Sequence, residues 1–175
     1  MSRYFVALGL CLILILTAAG CGSSPGSANN LESEKQTAQA VVHSSAAGLG
    51  AVLKNYPSET DRINFIRAYI DPVRFYPDQS GYFYVYNLDC VNIAHATQKD
   101  LQGQNLYNYQ DSRGTYVIRL LSAAAKSGGG FVEYYWKNPA VASQEEQKKI
   151  GYVEPIPGTD YFIGTGVYLN STPAR

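Results

Sequence analysis

The sequence predicts an α+β domain: one five-stranded antiparallel sheet with a long N-terminal helix on one face and a loop-and-helix crossover over the other. Three observations predict it. Residues 80–87 (SGYFYVYN) and 91–96 (VNIAHA) are two runs suited to a pleated, half-buried surface, separated by Leu88-Asp89-Cys90. Ahead of them Ala38, Val42, Ser45, Leu49, Val52 and Tyr56 recur at spacings of four and three, the stripe of a helix long enough to cross a sheet. Behind them, three more strand-like runs are separated by turn residues.

The first twenty residues read as an address. Arg3 is a positive start, Tyr4 to Leu16 is an apolar run too short for a comfortable membrane span, and Ala18-Ala19-Gly20 are small residues before Cys21. The pattern is read as a lipoprotein signal over residues 1–20, with cleavage expected before Cys21 and lipidation of its thiol anchoring the chain to a membrane; the alternatives are an ordinary cleaved signal peptide or an uncleaved anchor. Gly22 is not the aspartate that retains some lipoproteins at the inner membrane, so the periplasmic face of the outer membrane is expected. Removing 20 of the 175 residues leaves 155, enough for one domain with a real core. Losing Arg3 changes 14 basic against 14 acidic residues to 13 against 14, a net charge of −1. No basic stripe is present, so nucleic acid is not an expected partner. Cys11 leaves with the signal and Cys21 is lipidated, so Cys90 stands alone and an internal disulfide is excluded.

Residues 21–31 are a polar, low-complexity tether, residues 32–170 the folded domain and residues 171–175 a tail. The first helix begins near Leu31 or Glu32 and ends before Pro57. Ser58-Glu59-Thr60-Asp61 resembles a capping box opening a second helix, with Ile63 and Ile66 inward, which Asp71-Pro72 closes. Val73 to Gln79 is irregular and delivers Arg74 to the first strand. With Asp89-Cys90 as a two-residue turn, Tyr84 pairs with His95, Val85 with Ala94, Tyr86 with Ile93 and Leu88 with Val91. Tyr82, Tyr84, Tyr86 and His95 then share one face, and Phe83, Val85, Ala94 and Ala96 the other. The first face is expected to wall a hollow large enough for a small guest. Thr97 to Gly114 forms the crossover, and Tyr116 to Lys126 a short helix with Val117, Leu120, Leu121 and Ala124 inward, stopped by Gly128-Gly129-Gly130. Strands follow at 131–137, about 148–156 and 161–169. The arrangement is PAS-like.

The runs DPVRFYPDQSGYFYVYN, VNIAHA, LQGQNLYNYQDSRGTYVI, GGGFVEYYWKNP and KKIGYVEPIPGTDYFIGTGVY, taken together, resemble the single-Cache family, type 2, over most of Asp71 to Tyr168. The resemblance implies an extracytoplasmic sensor domain whose ligands are often short organic acids such as acetate, propionate, pyruvate or lactate. Two departures stand out. Cys90 replaces the glycine commoner at the hairpin turn. The usual member is flanked by transmembrane helices leading to a cytoplasmic output, whereas a lipid-anchored chain is expected to act through a membrane sensor or transporter partner.

A buried carboxylate needs a cation and several donors. Arg74 enters just before the pocket wall, and its planar fork suits a carboxylate. His95, Tyr82 and Tyr84 belong to the aromatic face, and Tyr107 lies in the crossover expected to lid it. On the third strand either Tyr134 and Trp136 or Phe131, Glu133, Tyr135 and Lys137 face the pocket; the first pair is preferred because Glu133 is a poor wall for an anion. Lys149 is a weaker candidate, since a lysine at a strand start is usually solvated. Two histidines, His43 and His95, without ligand-spaced partners predict no metal. No cofactor motif, nucleophile elbow or phosphate loop is present, so an enzyme is not expected; the Gly164-Thr165-Gly166 run inside a strand is expected to permit close packing. The alternative function is a structural or interaction lipoprotein whose Cache pocket is degenerate and binds nothing.

Overall fold

A computed structural model describes residues 25–143 and 145–169. The leader, Cys21, the first tether residues and the tail lie outside them. Three helices, α1 (Pro25–Leu53), α2 (Glu59–Ile70) and α3 (Val117–Lys126), surround five strands: β1 (Tyr84–Asn87), β2 (Asn92–His95), β3 (Gly130–Lys137), β4 (Glu146–Pro155) and β5 (Tyr161–Tyr168). The sheet order is β2-β1-β5-β4-β3, with every neighbouring pair antiparallel. The central strand β5 is buried along its whole length, as a strand covered on both faces must be. Among the described residues no helix is long and apolar enough to cross a membrane.

Helix α1 packs on β4 and β5. Its Lys35 lies over the Phe131 ring and its His43 pairs with Glu154, so it covers the sheet face that carries Phe131, Tyr152 and Glu154. Ala38, Val42, Ser45 and Leu49 are buried as the stripe predicts, but Ala46 and Leu53 complete it in place of Val52 and Tyr56. The helix stops at Leu53, before Pro57, and the Tyr56 ring turns onto Phe65 of α2. The start also differs. Residues 25–30, expected as tether, are helical from Pro25, where a proline loses only a donor that the first turn cannot use. Helix α2 opens on Ser58, whose side chain accepts from the Asp61 N–H, and packs against β2, where Arg67 donates to the Ile93 carbonyl.

Tyr84–His95 and Val85–Ala94 pair as predicted, whereas Tyr86 pairs with Asn92 rather than Ile93. The turn is longer than two residues. The Asn87 N–H bonds to the Val91 carbonyl, the Cys90 N–H to the Asn87 carbonyl, and Cys90 takes a φ of 68°. That is a three-residue loop ending in a left-handed residue, the conformation that makes glycine the easier occupant of position 90. A bulge between Val85 and Tyr86 restores the expected register farther down the hairpin.

Helix α3 lies over β3 and β4. Val117, Ile118, Leu121, Ser122 and Ala125 are buried, while Leu120 is exposed. The inner face is therefore rotated from the predicted one, with Ile118 where Leu120 was expected.

Candidate functional site

Alternation along residues 82–86 sends Tyr82, Tyr84 and Tyr86 to the face opposite α1, and the Tyr84–His95 pair sets His95 beside them. Tyr134 and Trp136 of β3 turn to this side, while Phe131, Glu133 and Lys137 are exposed. Tyr134 stands opposite Lys149, and Lys149 opposite Tyr168, so β4 and β5 extend the same surface. Gly151, Gly164 and Gly166 are its floor. A Cβ on Gly164 would stand 2.6 Å from the Tyr84 ring, and one on Gly166 would stand 2.8 Å from the Lys149 stem, so the missing side chains let these groups lie flat on the sheet.

The hydroxyls of Tyr84 and Tyr134 are 3.2 Å apart, and Thr165 donates to the Tyr82 carbonyl at 2.6 Å. His95 Nδ1 accepts the Gln98 N–H at 3.0 Å, which leaves the proton of the neutral ring on Nε2. Burial, then the charges of Lys149 once it is protonated, Lys99 and Arg74, lowers His95 to about 3, so the ring is neutral at physiological pH. Gln98 also accepts from the Trp136 indole at 2.6 Å. Val117, Ile118 and Leu121 of α3 form the roof. Between roof and rings lies a cavity of about 10 Å³, bounded by Tyr82, Tyr84, Tyr86, His95, Tyr134 and Trp136. That is room for about one water. The expected hollow large enough for a guest is instead nearly filled by the protein's own rings.

Lys149 departs most from expectation. Strand β4 starts earlier than predicted, at Glu146, so Lys149 lies inside the sheet and is fully buried rather than solvated. Alternation points its neighbour Lys148 the other way, to Glu133 at 2.8 Å. Lys149 Nζ lies 3.0 Å from the Tyr82 hydroxyl and 3.4 Å from that of Tyr168. It stands 4.1 Å and 4.6 Å from their ring centres. Among the described residues no carboxylate lies within ion-pair distance of it. Burial therefore holds its ammonium well below the usual lysine range. Lys149 does not line the cavity; it lies against Tyr82 and Tyr84, which do.

Two sequence candidates fall away from the cavity. Arg74 gives its guanidinium to the carbonyls of Asp71 (3.1 Å), Val73 (2.6 Å) and Ala96 (2.8 Å) and does not line the hollow. It serves instead as a clamp between the segment after α2 and the end of β2. Tyr107 is exposed, its ring stacked on the Arg119 guanidinium at 4.0 Å on the outer side of α3, so it is no lid.

A family model described as a Cache domain matches residues 27–174. The chain belongs to the Cache domain family. Over 97 residues it is 36% identical to the sensor histidine kinase MctS of Rhizobium johnstonii, covering 55% of this chain and 21% of the kinase. The chain thus spans about a fifth of that relative's length. A methyl-accepting chemotaxis protein from Vibrio parahaemolyticus superposes with a TM-score of 0.69 at 25% identity, over 83% of this chain and 95% of that one. A Cache chemosensory domain solved for its carboxylic acid recognition superposes with a TM-score of 0.68 at 27% identity, over 85% of this chain and all of that one (100%). This Cache domain is therefore similar to those that chemoreceptors and histidine kinases carry.

Sequence reasoning missed part of the Cache cavity. Tyr86 shares the aromatic face but is not among the candidates, nor are Ile118 of the roof and Tyr168, which lies outside the cavity against Lys149. Alternation along β5 from Gly164 and Gly166 reaches Tyr168, a signal that was available. The Ile118 position depends on the rotation of α3, whose helical spacing puts Leu120 inward in its place.

Proposed function

We propose that this Cache domain is an exported, lipid-anchored sensor that binds a short-chain organic acid and passes its bound state to a membrane sensor or transporter partner. The observation that carries the reading is Lys149, a fully buried amine whose polar partners are tyrosine hydroxyls. A carboxylate supplies the counter-charge that no described residue does. The hydroxyls of Tyr82, Tyr84 and Tyr134 and the His95 Nε2–H are donors on the same face, and Val117, Ile118 and Leu121 offer an apolar wall for a short tail. The carboxylic acid recognition of the structural neighbour is consistent with this chemistry. Export and anchoring rest on the signal at residues 1–20 and on Cys21.

Entry of an acid into a cavity of about 10 Å³ requires α3 and the crossover to draw back and close again around it. The ligand then shifts the population toward the re-closed form, which it must prefer. That form changes the load on the sheet and on α1 behind it.

Calorimetry and thermal shift against acetate, propionate, pyruvate, lactate and four-carbon homologues test the reading. Saturable binding of at least one acid is expected. Silence across the panel with folded protein contradicts it and favours the second reading, an interaction lipoprotein with a filled pocket, for which the small cavity speaks.

A further inference from the structure

Lys149 is surrounded by groups that do not stabilise a positive charge as a carboxylate does. From β1 and the residues just before it come the phenols of Tyr84 and Tyr82, from β2 the neutral His95, from β3 Tyr134 and from β5 Tyr168. Burial pushes Tyr82 up to about 12 and also raises Tyr84 and Tyr134 above the ordinary phenol value, so none is a phenolate near neutral pH. The charged groups bearing on Tyr82 and His95 are Arg74 and Lys99, both cations. The buried carboxylate of the crossover, Asp111, is committed to the N–H groups of Arg113, Thr115 and Tyr135. The polar contacts of Lys149 follow the same logic. The Tyr168 hydroxyl reaches the Lys137 carbonyl at 2.6 Å, and the Tyr82 and Tyr168 hydroxyls are 3.1 Å apart. With the Tyr168 proton on that carbonyl and the Tyr82 proton on Tyr168, the Tyr82 oxygen is left to accept from Lys149. A neutral amine satisfies this chain as well as an ammonium does, without an unpaired charge in the sheet.

We propose that acid binding is coupled to proton uptake: Lys149 is a neutral amine in the ligand-free domain and becomes an ammonium when a carboxylate reaches it. The inference rests on the proposed function and deepens it. The balance is one carboxylate anion and one proton from solvent per site, the proton adding to the Nζ lone pair with no other bond broken. The sign follows from linkage. Between the titration of the free amine and that of the ion pair, binding takes up one proton, so affinity falls about tenfold for each unit by which pH rises. Below the first titration the dependence vanishes, because the ammonium is already present. The domain then answers to acid and acidity together, responding most strongly where an organic acid and a lowered pH coincide.

The test uses whichever of acetate, propionate, pyruvate, lactate and the four-carbon homologues binds. Calorimetry at pH 8 in two buffers of different ionisation enthalpy counts the protons, and NMR of 13Cε-labelled lysine reads the state of Lys149 with and without acid, its resonance assigned by its loss in Lys149→Met. The expected results are about one proton per acid and a Lys149 resonance at the amine position that moves to the ammonium position on saturation. Binding without proton uptake, or an ammonium signal in the ligand-free protein at pH 8, overturns the inference and leaves the acid-binding function standing. Absence of binding by every acid of the panel, the four-carbon homologues included, overturns both.

Discussion

The Tyr84 ring occupies the space above Gly164, its partner across β1 and β5: a Cβ there would stand 2.6 Å from the ring and 2.6 Å from a Val153 methyl. Tyr84 is pinned by this fit and by its contacts to Tyr134 and the Thr165 carbonyl. Gly164→Ala should destabilise the domain by about 1–3 kcal/mol, since the ring and the valine are both buried and cannot yield freely. Gly48→Ala is the control. It lies inside α1 with nothing near its Cβ, and alanine there should stabilise by about 0.5–1 kcal/mol. Urea unfolding midpoints compare the two.

Lys149→Met should raise the melting temperature while removing acid binding. Methionine fills a similar volume without a basic group to desolvate, and a gain on the order of 2 kcal/mol is expected. A melting temperature that falls would mean that the lysine supports the fold rather than a ligand. Thermal denaturation without added acid is the measurement.

His95 gives the fold an acid limit. Its folded value of about 3 lies below the ordinary 6.5, so the unfolded chain binds the extra proton between those values. The stability of the neutral ring is fully present above pH 6.5 and is lost progressively as pH falls toward 3. The loss approaches about 5 kcal/mol when complete. His95→Gln should be less stable than the parent at pH 7 yet lose less between pH 7 and pH 4. Parallel slopes for the two proteins would contradict the assignment.

The α3 roof sets the length of acid that the cavity accepts. Ile118→Ala should cost about 2–5 kcal/mol of stability and leave a void over the rings. The ratio of butyrate to acetate affinity should rise in that variant. An unchanged ratio would place the acid's tail elsewhere.

Much of this architecture was legible because it is periodic. The two-residue alternation of 82–86 fixed the aromatic face, and the preference for Tyr134 and Trp136 followed from the unsuitability of Glu133 as a neighbour. The hairpin register was readable near Tyr84 and His95 even though the turn was not, because the longer Cys90 turn and the bulge offset one another. What escaped depends on non-local placement. The burial of Lys149 comes from its register against Tyr134 and Tyr168, which neighbouring residues do not encode. Arg74 looked like a free cation because capture by three backbone carbonyls leaves no trace in sequence. Tyr107 looked like a lid because the crossover's path around α3 is set by packing, not by its own pattern.

The most direct test of the account is a crystal structure of the domain with the tightest-binding acid of the panel. The account predicts a carboxylate oxygen within hydrogen-bond distance of Lys149 Nζ, with the Tyr82 ring displaced and α3 re-closed over the tail. An acid held by Arg74 or on the outer side of α3 beside Arg119, with Lys149 still enclosed by Tyr82 and Tyr168, would contradict it.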